Sequence, residues 1–268
     1  MPPALRITSE DNPRIKQLLH LHKNRDRRQA GVFIAEGERE IERALAAGLK
    51  IQQFFYCPEF GAPFRMKINS EADVFELTQK LFLKIAYLER PEGVLAVFEE
   101  PHWSLESLPV GNLYLIATGI EKPGNLGAMA RTASAAGCAA MIIADENVDA
   151  FNPNAIRAST GAVFSLPILS LSSEQAIRFC EKRRIQIAAA IVGAEKDYTQ
   201  IDFTSPTAIV IGSEDKGLPE IWRSAGIGIS IPMAIGVVDS LNASTSAAIL
   251  LFEAVNQQRT RKREGAKD

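Results

Sequence analysis

The chain has 268 residues but three histidines and three cysteines, and that scarcity narrows its chemistry. His20, His22 and His102 stand outside every strand exit read below, so no nucleophile–base pair and no metal-ligand spacing is present. Cys57, Cys138 and Cys180 lie far apart and form no C-x-x-C. With no secretory leader they read as reduced thiols of a cytoplasmic protein, most simply small buried hydrophobes. No apolar run approaches the roughly 20 residues of a membrane span. "MPPALRITSEDNPR" carries acids and prolines where a signal peptide has a hydrophobic stretch. The dinucleotide fingerprint G-x-G-x-x-G is missing too, and Asp145 is a poor ribose-binding acid, which disfavours a nicotinamide enzyme. A net charge of -2 argues against indiscriminate coating of nucleic acid.

What is present is an ordinary core former, 46% hydrophobic and 23% charged, long enough for one large domain or two smaller ones. Arg14, Lys16, Lys23, Arg25, Arg27 and Arg28 form one basic cluster, and "RTRKRE" (259–264) a second. Each either faces a phosphate backbone or is a solvated helix face and a frayed tail. A proline-rich polar stretch, "EEPHWSLESLPVGN" (99–112), marks a linker. The expected division is a domain over 1–100, a linker over 101–112, a domain over 113–260 and a charged tail over 261–268.

The first domain reads as a small α/β unit: a basic helix over 12–29, strands at 32–37, 51–57 and 94–98, and helices at 38–48 and around 71–86. The second alternates more regularly. Its strands fall at 113–118, 139–144, 163–169, 185–192, 207–212 and 227–231, and its helices at 125–137, 153–160, 173–184, 218–225 and 242–260. "AMIIAD" and "TAIVIG" are continuous apolar runs, as in a parallel sheet covered on both faces. Ligands of such sheets bind at the carboxyl ends of the strands.

Three exits carry information. In "LIATGIEKPGNLGAMARTASAAG", Asn125 suits a helix N-cap, and Gly124, Gly127 and Arg131 share one helical face. This is either a phosphate site at a helix N-terminus or simply tight packing. In "AIVIGSEDKGLPEIW", Glu214 follows a strand end, to bind a ligand donor or to brace the loop. In "ISIPMAIGVVDSLNASTSAAILLFEA", Ser240, Asn242, Ser244 and Thr245 precede an alanine-rich helix, although one of them would suffice as a cap. The exits offer many main-chain groups and few titratable ones, which suits a reactive cofactor held by its backbone contacts.

These exits resemble the three signature motifs of the SpoU (TrmH-like) branch of the SPOUT RNA methyltransferases. N-x-G-x-x-x-R-T-A matches Asn125, Gly127, Arg131, Thr132 and Ala133. G-x-E-x-x-G-L matches Gly212, Glu214, Gly217 and Leu218. I-P-M with S-L-N-x-S matches Ile231, Pro232, Met233, Ser240, Leu241, Asn242 and Ser244, around a slightly longer loop over 234–239. "NPNAIRASTGAVFSLPI" is similar to the segment between the first two motifs, and "FIAEGEREIERAL" to the family's ribosomal-protein-like substrate-binding domain.

The resemblance implies an α/β parallel-sheet domain whose C-terminal segment is tied in a trefoil knot, and a homodimer whose sites can borrow residues across the interface. It implies S-adenosylmethionine as cofactor and a ribose 2′-hydroxyl of RNA as acceptor. The separate N-terminal domain points to 23S ribosomal RNA; transfer RNA and a non-catalytic RNA-binding role are the alternatives. Gly212, Ile231, Met233 and Leu241 would hold the cofactor, with Ile191 as a wall. Arg131, Asn125, Glu214, Asn242 and Ser244 would serve catalysis, the last four orienting the substrate and Arg131. A guanidinium is rarely neutral in a protein, so Arg131 is expected to grip phosphate and polarise the hydroxyl rather than accept its proton.

Overall fold

A computed structural model describes residues 4–61, 68, 71–234 and 238–264. Residues 235–237 of the loop over 234–239, and 265–268 of the charged tail, lie outside the described residues. The chain forms two compact units, Met1–His102 with Phe151–Phe164, and Trp103–Ala150 with Ser165–Asp268.

The first unit contains β1 (Leu5–Ile7), α1 (Pro13–His20), α2 (Asn24–Ala30), β2 (Val32–Glu36), α3 (Glu38–Ala46), β3 (Ile51–Tyr56), β4 (Asp73–Leu77), α4 (Gln79–Ile85) and β5 (Val94–Glu99). The strands form a mixed sheet in the order β1-β4-β3-β5-β2, with β2 and β3 antiparallel to β5. The helix expected over 12–29 is two helices. Arg27 is 1% exposed, and its Nη1 donates to the carbonyls of Leu21 (2.9 Å) and His22 (3.0 Å) in the break between them. A buried guanidinium must spend its donors inside the protein, so Arg27 leaves the basic cluster. Arg14 and Lys16 are paired with Asp73 (3.3 Å) and Asp11 (2.9 Å). The span 71–86, expected to be helical, is β4 followed by α4. Val74, Phe75 and Leu77 are buried as β4 runs parallel between β1 and β3. Phe33 stacks on Phe151 (5.1 Å between centroids) and Phe164 (5.2 Å), which ties residues 151–164 to this unit.

Along the rest of the chain come β6 (Leu113–Thr118), α5 (Pro123–Ala136), β7 (Ala140–Ala144), α6 (Pro153–Ser159, in the first unit), β8 (Ile168–Leu171), α7 (Ser173–Arg183), β9 (Gln186–Ala190), β10 (Lys196–Asp197), β11 (Thr207–Ile211), α8 (Glu220–Ala225), β12 (Ile227–Ser230) and α9 (Ala243–Glu264). The seven strands pair in parallel throughout, in the order β10-β12-β9-β11-β6-β7-β8. Every residue of β6, β7 and β11 is buried, as their apolar runs require. The strand expected over 163–169 starts instead at Ile168, directly after Pro167, which has no N–H to give a ladder. α9 packs on α5 and β11 through Ala247, Leu250, Leu251 and Ala254. Asp145 is committed to structure: its carboxylate accepts from the Ser173 N–H (3.0 Å) and hydroxyl at the start of α7. The Ser173 Oγ in turn accepts from Trp222 Nε1 (2.8 Å). No helix among the described residues is long and apolar enough to cross a membrane.

Candidate active site

The carboxyl ends of β9, β11 and β12 open on a cavity of about 320 Å³. All five residues read as cofactor-binding, Ile191, Gly212, Ile231, Met233 and Leu241, line it. Ala190 and Ser246 also line it, and no motif named them. The turn after β11 folds back on itself: the Gly217 N–H donates to the Ser213 carbonyl (3.0 Å), and Gly217 sits at φ +66°. The return passes so close that a Cβ on Gly212 would lie 2.4 Å from both C and O of Gly217. Glycine at 212 is thus required by space, whereas Gly217 is favoured by its left-handed backbone. Four apolar side chains and the main chain of this turn make a surface suited to an adenosine and its alkyl sulfonium. The residues fit S-adenosylmethionine.

At the mouth, one carboxylate ties the three exits together. Glu214 Oε1 accepts from Asn125 Nδ2 (2.8 Å) and from Asn242 Nδ2, while its Oε2 meets Lys122 Nζ at 3.1 Å. Asn242 also donates to Asn125 Oδ1 at 3.2 Å, closing a triangle. The Lys122 ammonium, then the Ala243 backbone N–H and last the Asn125 amide, hold the Glu214 carboxyl below its ordinary range against the opposing effect of burial, and Glu214 in return raises Lys122. The carboxylate is therefore an acceptor in this arrangement and not a proton donor.

Asn242 works at both ends. Its Oδ1 accepts from the Ser244 N–H (2.9 Å) and hydroxyl (2.6 Å), capping α9, while its amide nitrogen serves Glu214. That accounts for Asn242 and Ser244, and Ser240 lines the cavity. Asn125 is not the N-cap of α5, as its sequence position led one to expect. Lys122 holds that place, because Pro123 takes the first helical position and pulls the start forward. Asn125 is left inside the first turn with its amide free for Glu214. Lys122 was missed in the sequence; its signal was its position just before Pro123.

Arg131 is the exception among the expected catalytic residues. It is exposed, makes no hydrogen bond or ion pair with a described residue, and does not line the cavity. The four residues expected to orient it bond to one another instead. The helical period explains this: Arg131 lies six positions after Asn125, which turns the two side chains about 120° apart around α5. Arg131 shares its face with Gly124, where an added Cβ would meet nothing within 4 Å.

Residues 112–252 match the model of the SpoU rRNA Methylase family, just over half of the chain. The chain belongs to the SpoU rRNA methylase family. Residues 12–96 match an MRM3-like substrate binding domain, so both SpoU-type segments are present. A 23S rRNA (uridine(2479)-2′-O)-methyltransferase of Streptomyces viridochromogenes is 33% identical over 96% of this chain and 94% of its own. The 23S rRNA (guanosine(2553)-2′-O)-methyltransferase RlmP of Bacillus subtilis is 26% identical over 92% and 97%. An AdoMet-bound rRNA methyltransferase from Sinorhizobium meliloti superposes with a TM-score of 0.85 at 32% identity, covering 94% of this chain and 98% of that one.

Proposed function

We propose that this SpoU enzyme methylates a ribose 2′-hydroxyl of 23S ribosomal RNA in the cytoplasm, as a homodimer using S-adenosylmethionine. The observation that carries the reading is the cavity at the ends of β9, β11 and β12, walled by all five expected cofactor residues, with the Glu214–Asn125–Asn242 triangle at its mouth. Full-length similarity to enzymes named for 23S rRNA 2′-O-methylation supports the substrate.

Bound S-adenosylmethionine supplies a methyl group on an electrophilic sulfonium. The protein's task is then to hold the acceptor hydroxyl in line with that methyl and keep both dry. The turn at 212–217 and the apolar side chains Ile191, Ile231, Met233 and Leu241 would hold the donor. The triangle fixes the spacing of the three exits, and Ser244 secures Asn242.

Arg131 makes no bond with a described residue, so its five donors are free to take an RNA phosphate and polarise the adjacent 2′-hydroxyl; the phosphate or water takes the proton. Because Arg131 is turned away from its own cavity, it acts in the site of the partner subunit. Threading of the segment before α9 into a trefoil knot would bring residues 238–242 against the 212–217 turn, and it belongs to the same proposal. The deciding experiment maps ribose methylation across ribosomal and transfer RNA in cells with and without the protein. One 23S site lost in the deletion strain supports the reading; a lost transfer-RNA site, or none, overturns it.

A further inference from the structure

Two segments singled out in the sequence have no part in the donor site, "FIAEGEREIERAL" and "NPNAIRASTGAVF". Both line a separate cavity of about 570 Å³ in the first unit, together with Tyr87–Arg90 and Glu92. At its wall stands Glu36, the last residue of β2, only 8% exposed. Its Oε2 accepts from the backbone N–H groups of Tyr87 (2.6 Å) and Leu88 (3.2 Å). Its Oε1 is buried and has no partner among the described residues. Burial is the first cause of a carboxyl raised to about 7, with Glu92 adding to it; the Tyr87 and Leu88 N–H groups, and least of all the Arg157 guanidinium, oppose that rise. A buried acceptor without a donor costs stability, which singles out this oxygen as a place where a ligand N–H belongs.

The rim supplies complementary groups. Arg90 and Arg157 are exposed, face the cavity, and make no hydrogen bond or ion pair with a described residue. Arg39 is paired with Glu40 (2.6 Å), and Glu92 accepts from the Glu38 N–H (3.0 Å). The acids Glu36, Glu40, Glu89 and Glu92 outnumber the three arginines, so the cavity does not suit a bare anion. It suits a group carrying N–H donors at one end and a phosphate at the other, with a flat face for a guanidinium. Single-stranded RNA bases are read in this way, by hydrogen bonds to an edge and stacking on arginine planes.

We propose that this cavity receives one unstacked nucleotide of the RNA substrate, a base with an amino-bearing edge presented to Glu36 and its phosphate held by Arg157 and Arg90. The proposal rests on the RNA reading above, and names the nucleotide contact that the N-terminal unit makes.

The probes are guanosine 5′-monophosphate, with adjacent imino and amino donors, and uridine 5′-monophosphate, with one. Binding to the full-length dimer is read by saturation-transfer NMR in the presence of saturating S-adenosylmethionine, which keeps the donor cavity filled. The guanosine nucleotide is expected to bind saturably, with uridine about tenfold weaker, the worth of one charge-assisted hydrogen bond. Glu36→Gln should erase the preference. Arg157→Ala, at an exposed position where folding is not at stake, should weaken both nucleotides. The proposal is overturned if neither nucleotide binds, if the two bind alike, or if Arg157→Ala leaves binding unchanged. Methylation of 23S RNA by the same preparation is measured alongside. Methylation without nucleotide binding sinks the pocket alone, and its absence on every RNA sinks the RNA reading itself.

Discussion

Replacing Gly212 by alanine adds one methyl group at the point where the donor cavity has no room for it. The new Cβ would lie 2.4 Å from C and O of Gly217 and 2.7 Å from the Leu218 N, all of them main-chain atoms that cannot rotate away. Ordinary contact needs about 3.5 Å or more, so the return limb of the turn must retreat by about 1 Å. Overpacking of this kind costs about 1–3 kcal/mol. Because the same turn forms the cavity wall, the cost falls on donor binding, and affinity for S-adenosylmethionine should drop about tenfold to a hundredfold. Titration calorimetry measures the affinity, and a thermal melt separates local from global damage. Gly124→Ala is the control: its Cβ meets nothing within 4 Å, so donor binding should be unchanged. Normal affinity in Gly212→Ala, with an unshifted melt, would refute the spatial argument.

Other consequences follow from the contacts. Asn242→Ala removes both the α9 cap and a donor to Glu214, and the cap alone is worth about 0.5–2 kcal/mol; the melting temperature should fall by several degrees and methylation should be lost. Asn242→Asp should recover the melt without recovering activity, since a second carboxylate would face Glu214. Lys122→Met frees the Glu214 carboxyl to rise toward its ordinary value, so the acid limb of the pH–rate profile should move up, and Lys122→Arg should restore it. Glu36 carries a folded-state value raised to about 7, so between its ordinary 4.5 and about 7 the folded protein holds more proton than the unfolded chain. Stability should therefore decline as pH rises through that window, by at most about 3 kcal/mol, and then level off; Glu36→Gln should flatten the decline in melts taken from pH 5 to 8.

The parallel sheet was legible because its buried strands are written as unbroken apolar runs, and the donor cavity because three strand exits carry motifs whose turns converge. Other features rest on contacts that spacing does not display. The strand at Asp73–Leu77 is defined by its pairing with the distant β1 and β3, so its short apolar stretch reads as well for a helix. Arg27 looks like its basic neighbours until two carbonyls in a helix break claim it. Residues 151–164 look like part of the second segment, but Phe33, more than a hundred positions earlier, stacks on both ends of them. The Lys122–Glu214 pair spans 92 positions, so the place of Lys122 before Pro123 hinted at the helix start and not at its partner. The position of Arg131, by contrast, was readable: a count of 100° per residue already sets it apart from Asn125.

The central claim divides the work between a cavity that holds the methyl donor and a guanidinium that serves the RNA. Arg131→Ala tests the division most directly, with donor affinity by calorimetry and methyl transfer to 23S RNA measured on one preparation. The account predicts affinity within about twofold of the unaltered enzyme and transfer reduced by at least about a hundredfold, the loss expected for a group that acts mainly in the transition state. Parallel loss of both would contradict it and make Arg131 part of the fold of α5.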